Sequence, residues 1–140
     1  MLCRAVEGAE ERYAIVDASA APVLHVRVVG PLTDPGFERY LRELEAAMTA
    51  TERFGIVLEQ GPLTAFPARY VRRSASWLRG AVARFGERWV ATAFVLTSPA
   101  LRAAVRGLFW TLGRAHPVTV TATPEEAVAW VRGRLGEEAR

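Results

Sequence analysis

Strands alternating with helices in the order ββαβαβαβα place this 140-residue chain in the α/β class, as a single domain. The sheet is expected to be mixed, an N-terminal hairpin followed by mainly parallel strands, and to be covered by helices. Three observations predict it. Four apolar, β-branched stretches are each followed by an apolar pattern at helical spacing. Glycine, proline or a hydroxyl residue punctuates the junctions. The length fits one domain able to bury roughly two-thirds of its unfolded surface. Residues 1–10 are assigned to an N-terminal tail, 11–136 to the domain and 137–140 to a C-terminal tail.

Residues 11–17 and 23–29 are rich in Val, Ile and Tyr, with Ser19 to Pro22 between them, and read as a hairpin. In the second strand Leu24, Val26 and Val28 point one way and His25 and Arg27 the other, so one face is core and the other at least partly wet. Gly30 and Pro31 end it. Asp34 followed by Pro35 gives an N-cap and a first helical residue. Phe37, Tyr40, Leu41, Leu44 and Met48 then recur at helical spacing, with Glu38, Arg39, Arg42 and Glu45 outward.

Residues 54–58 are apolar apart from Gly55, as a strand covered on both faces requires, and stop at Glu59, Gln60, Gly61 and Pro62. The helix expected over 67–85 turns Tyr70, Ser74, Trp77, Leu78, Ala81 and Phe85 inward. Its outer side carries Arg69, Arg72, Arg73, Arg79 and Arg84 without one acid. A buried strand over 90–97 is closed by Ser98 and Pro99, again a cap and a first helical residue. In the helix over 99–114, Leu101, Val105, Leu108 and Leu112 form the inner stripe and Trp110 projects opposite, four residues from both Arg106 and Arg114. His116 and Pro117 lead into the strand over 118–122. Thr123, Pro124 and Glu126 make a capping box for the last helix, which buries Ala127, Val131 and Leu135.

Composition narrows the function classes. Hydrophobic residues are 51% and charged residues 24%, an ordinary globular balance. Cys3 is the only cysteine, which excludes an intrachain disulfide and a multi-cysteine zinc cluster and fits a reducing compartment. Charged side chains interrupt residues 1–12, against a signal peptide, and the apolar run over 89–96 is too short to span a bilayer. A cytoplasmic location follows as the expectation. All 18 basic residues are arginine, a usage that a GC-rich genome produces, so abundance alone carries no functional weight. Distribution carries more: residues 1–63 hold six Arg against ten acids, 64–123 nine against Glu87 alone, and 124–140 three against four. The positive field belongs to the second half of the chain.

The element order at this length resembles the STAS domain, the fold of bacterial anti-sigma-factor antagonists, and more closely its SpoIIAA-like relatives. The resemblance spans roughly residues 11 to 135. It rests on the hairpin ending in Val28, Val29 and Gly30, on Leu32 and Thr33 before a helix with Phe37, and on the closing run from Thr123 through Glu125, Glu126, Ala127, Val128, Ala129, Trp130 and Val131. It implies a non-enzymatic regulatory module acting through protein contact. Phosphoregulated members carry an Asp-Ser-Ser-Gly-like segment after the third strand; here the segment reads Glu59, Gln60, Gly61, Pro62, Leu63, Thr64 and Ala65, without the aspartate–serine pair. Thr64 alone offers a phosphoacceptor hydroxyl there. A phosphate on it would sit beside a helix start and the arginines at 69–73, against a plainer reading as a loop or cap threonine. SpoIIAA-like proteins also resemble lipid-transfer domains in topology, which implies the alternative of a small-ligand or lipid binder with an apolar pocket near Trp77, Phe109 and Trp110.

From the residues themselves no catalytic constellation emerges. His25 and His116 are far apart in sequence and neither stands near a nucleophile motif, no metal-ligand cluster is present, and no cofactor is implied. Glu59, Thr64, Ser98 and Thr123 fall at the carboxyl ends of strands, where open α/β sheets gather ligands, although Ser98 and Thr123 are accounted for as helix caps. Arg69, Arg72, Arg73, Arg79, Arg102, Arg106 and Trp110 form the candidate interaction surface, fitting an acidic protein first, an anionic lipid surface second and nucleic acid last, since the net charge is only +3 and no nucleic-acid motif accompanies it. Trp110 would also seat a second copy of the chain.

Overall fold

A computed structural model describes residues 12–60, 67–110 and 117–139. It is an α/β domain built on one five-stranded sheet. The strands β1 (Ala14–Asp17), β2 (Val23–Val28), β3 (Phe54–Glu59), β4 (Trp89–Val95) and β5 (Val118–Thr121) lie side by side in sequence order. β1 and β2 pair antiparallel, and β2 through β5 are parallel. The mixed sheet expected from the sequence is therefore present. The helices are α1 (Asp34–Ala50), α2 (Ala68–Phe85), α3 (Pro99–Trp110) and α4 (Pro124–Ala139), with a 3₁₀ turn over Gly86–Arg88.

A strand order that advances by one step at each crossover puts every crossover helix on the same face, because the crossovers share one hand. The core divides accordingly. On the first face Leu24, Val26 and Val28 of β2, Phe54, Ile56 and Leu58 of β3, and Phe94 of β4 meet Phe37, Leu41 and Leu44 of α1, Leu78 and Phe85 of α2, and Leu101 and Val105 of α3. On the second face Val57, Ala91 and Ala93 meet Ala127, Val131 and Leu135 of α4. Burial on both sides is why β3 reads as a continuous apolar run.

α4 lies mainly over β3, β4 and β5, and leaves β1 and the end of β2 open on that face. Ile15, Asp17 and Arg27 are exposed there and His25 is half-buried. The wet second side expected for β2 is thus real and has a cause in topology.

Local signals hold with one correction. The N-cap of α1 is Thr33, whose hydroxyl accepts from Gly36 N at 3.2 Å, and not Asp34; Asp34 and Pro35 are the first two helical residues. The shift follows from geometry, since the capping residue must keep an extended backbone while its side chain turns back, and Thr33 does so at φ −123°. Ser98 Oγ accepts from Leu101 N at 3.4 Å and Thr123 Oγ1 from Glu126 N at 3.2 Å, as caps should. The carboxyl end of α1 is served from far away: the Arg88 guanidinium donates to the carbonyls of Met48, Thr49, Thr51 and Glu52. It supplements the local cap, in which Thr51 N–H donates to Met48 O, and meets further carbonyls at the helix end.

Gly55 is the thin point of the fold. A Cβ at that position would run into Val131 Cγ1, so α4 reaches the sheet only because β3 has no side chain there. Gly55→Ala is expected to destabilise the protein by about 1–3 kcal/mol through overpacking. Urea unfolding should show a lower midpoint at unchanged slope; an unchanged midpoint would mean that α4 is not seated on β3 as described.

A neutral cavity beneath three helices

Period-two alternation sends Ile56, Leu58 and then Gln60 toward the first face of the sheet, where α1, α2 and α3 spread over it. The helices do not close completely over that face. Between them and the sheet lies a cavity of about 90 Å³. Phe37, Tyr40 and Leu44 wall it from α1, Trp77 and Leu78 from α2, and Leu101 and Val105 from α3. Ile56, Leu58 and Phe94 make the floor, and Tyr13 and Trp89 also border it.

Among the described residues no charged side chain contributes to this lining. Its polar members are two phenols, Ser74, Thr92 and Gln60. The Thr92 hydroxyl accepts from Trp89 Nε1 at 2.8 Å, and Trp77 turns its own Nε1 away to Glu45 at 3.2 Å. Aromatic edges fix the rim: Tyr13 and Tyr40 meet edge-on at 5.5 Å between ring centroids, and Phe37 lies 5.6 Å from each of them. Burial pushes the Tyr13 and Tyr40 phenols far above their ordinary range, and their proximity adds to the effect at Tyr13. A site that holds phenols this firmly in the neutral form resists any ion placed inside it.

The residues singled out in the sequence fall elsewhere. Arg73 pairs with Glu38 at 2.7 and 2.8 Å, Arg84 with Glu45 at 2.8 Å, and Arg69 with Asp34 at 3.5 Å. The arginine side of α2 carries no acid of its own, as read, but α1 supplies three. The Arg73 hydrogen bond holds the Glu38 carboxyl below its usual range. These pairs are mostly solvated, so each is worth at most about 1 kcal/mol. Arg102 is half-buried and donates twice to Leu96 O at 3.1 and 2.9 Å, which ties the start of α3 to the end of β4. Arg72, Arg79 and Arg106 are exposed, and among the described residues no carboxylate lies within ion-pair reach of them. Thr64, His116, Cys3 and the side chains of Phe109 and Trp110 lie outside the described residues.

His25 bonds through Nε2 to Glu59 Oε2 across β2 and β3 on the open part of the second face. Its other neighbours in register are Asp17 and Val57, neither of which brings a hydroxyl or thiol to the ring. Of the four groups expected at strand ends, Glu59 is committed to this pair, and Ser98 and Thr123 to helix caps. Among the described residues no three His, Cys, Asp or Glu side chains converge as metal ligands, and no helix is long and apolar enough to cross a membrane. Comparison of the chain with protein-family models, curated proteins and solved structures finds no match.

Sequence reasoning set Trp77, Phe109 and Trp110 together beside an apolar pocket; Trp77 borders this cavity, and the side chains of the other two lie outside the described residues. The same reasoning missed Gln60, treated only as part of a strand-ending segment, although its position two residues beyond Leu58 was a usable signal.

The two phenols give a pH signature. Their folded values lie above the ordinary 10.0, so their contribution is complete below that pH and is lost above it, where the unfolded chain ionises and the fold does not. At pH 11 each buried phenol should remove about 1.4 kcal/mol of stability relative to pH 8. Urea midpoints should therefore fall less between these pH values in Tyr40→Phe than in the natural chain. Equal falls would show Tyr40 to be accessible.

Proposed function

We propose that this domain is a non-enzymatic binding module whose ligand is a small, neutral, largely apolar molecule held between the sheet and α1, α2 and α3. The observation that carries the reading is the cavity of about 90 Å³ in whose lining, among the described residues, no side chain is charged. Protein interiors are otherwise close-packed, and open apolar volume of this size costs about 2 kcal/mol in lost contacts. A molecule that fills it restores those contacts and needs no counter-charge. Small-molecule sites have this character, apolar walls with few polar groups, and the volume limits the occupant to at most one small ring.

A second role is supported by Arg72, Arg79 and Arg106, exposed and, among the described residues, without an acid at ion-pair distance. Together with the resemblance to STAS and SpoIIAA-like domains, it favours a bacterial cytoplasmic regulator that meets an acidic protein through α2 and α3. Arg69 and Arg73 belong to this surface less than the sequence suggested, because Asp34 and Glu38 already neutralise them.

Toluene is a suitable probe of the first reading. At ten times its dissociation constant it should raise the melting temperature by about 4 °C. Backbone amide shifts should move along α1, α2, α3 and β3. Val105→Phe, which fills the cavity from α3, should abolish both responses. Absence of binding to the natural chain, or binding that survives Val105→Phe unchanged, contradicts the proposal.

A further inference from the structure

Gln60 stands out among the groups bordering the cavity. It follows β3 directly, its backbone N–H reaches Val95 O at 3.5 Å, and its side chain turns inward beside Leu58. The residue is 9% exposed, and its Oε1 is fully buried with no hydrogen-bond donor among the described residues. A buried amide oxygen without a donor is disfavoured, and such groups are nearly always paired. Here the unpaired atom belongs to a side chain that lines an otherwise apolar space.

We infer that Gln60 is the specificity-determining residue of the cavity, and that the ligand class is a single-ring or similarly small neutral molecule bearing one hydroxyl, of which phenol is the simplest. The inference rests on the cavity reading proposed above and adds the polar half of the recognition. Size sets the ring, since about 90 Å³ leaves little room beyond one. Neutrality follows from the uncharged lining, which provides nothing to balance a carboxylate or an ammonium. The hydroxyl follows from Gln60. An O–H donates to the amide oxygen and also accepts, so it serves the amide group with either of its two ends turned inward. Shape alone would select poorly, because apolar walls discriminate weakly between a ring and its hydroxylated analogue. A buried polar group left unpaired by the wrong ligand discriminates far better.

Two other polar groups at the wall already have partners. Thr92 already accepts from Trp89, and Trp77 donates outward to Glu45.

The experiment compares toluene and phenol at pH 7 in the natural chain and in Gln60→Met, which keeps the volume and removes the amide. Dissociation constants come from calorimetric or amide-shift titration. The preference for phenol, taken as the ratio of the toluene to the phenol constant, should fall by about tenfold in Gln60→Met, the equivalent of one hydrogen bond. Toluene itself should bind Gln60→Met at least as well as the natural chain. The melting temperature of Gln60→Met without ligand should be equal to or above that of the natural chain, because an unpaired buried amide has been replaced by an apolar group. A melting temperature lowered by several degrees would overturn the inference by showing that the amide already has partners. Binding of both probes with an unchanged ratio would overturn it while leaving the cavity reading intact. Binding of neither probe to the natural chain would overturn both.

Discussion

Burial of β3 on both faces is the constraint on which the rest of the molecule depends. The strand lies at the centre of the sheet, between β2 and β4, and sends Phe54, Ile56 and Leu58 to one layer and Val57 to the other. Each layer has to be covered, yet the coverings are unequal. Three crossover helices share the first face because the strand order always advances in one direction. Among the described helices only α4, arriving after the last strand, is left for the second, and it fits there because Gly55 has no side chain.

This inequality shapes both surfaces. On the second face one helix cannot span five strands, and the uncovered margin is occupied by Ile15, Asp17, Arg27 and the His25–Glu59 pair. On the first face the three helices are held at their outer surfaces by charge pairs, Glu38 to Arg73 and Glu45 to Arg84, and by Trp77 Nε1 to Glu45. Beneath these clasps the side chains of α1, α2 and α3 meet the sheet without closing every gap. The aromatic residues at the rim are large and few in rotamers, so they frame the space more readily than they collapse into it. The cavity is therefore a consequence of how the helices are spaced, and Gln60 gives it a polar end.

Much of the architecture was legible because it is local. Period two in β2, period near 3.6 in α1 and α2, the proline and hydroxyl punctuation at Ser98 and Thr123, and the apolar run of β3 all lie within a few residues of the structure they dictate. What escaped is non-local. The acids that neutralise Arg73 and Arg84 stand on another helix, more than 30 positions away, so a face that is all arginine in sequence is partly balanced in space. Arg88 caps α1 from across the first layer. Asp34 and Thr33 are both good capping residues, and only backbone geometry decides between them. Gly55 looked like a blemish in a strand until the partner that needs its absent side chain was known. The candidate site was legible in part: period two carries Gln60 to the same face as Leu58, but nothing in the sequence marks its amide oxygen as buried without a donor.

The central claim is that an apolar cavity lies on the first face of the sheet, beneath α1, α2 and α3. Methyl NMR under xenon pressure tests it most directly, since xenon enters dry apolar cavities and shifts the methyl groups that line them. Shifts are expected at Leu44, Ile56, Leu101 and Val105, with Val57 and Val131 on the opposite face unmoved. No xenon response at the first group, or an equal response in both layers, would contradict the account.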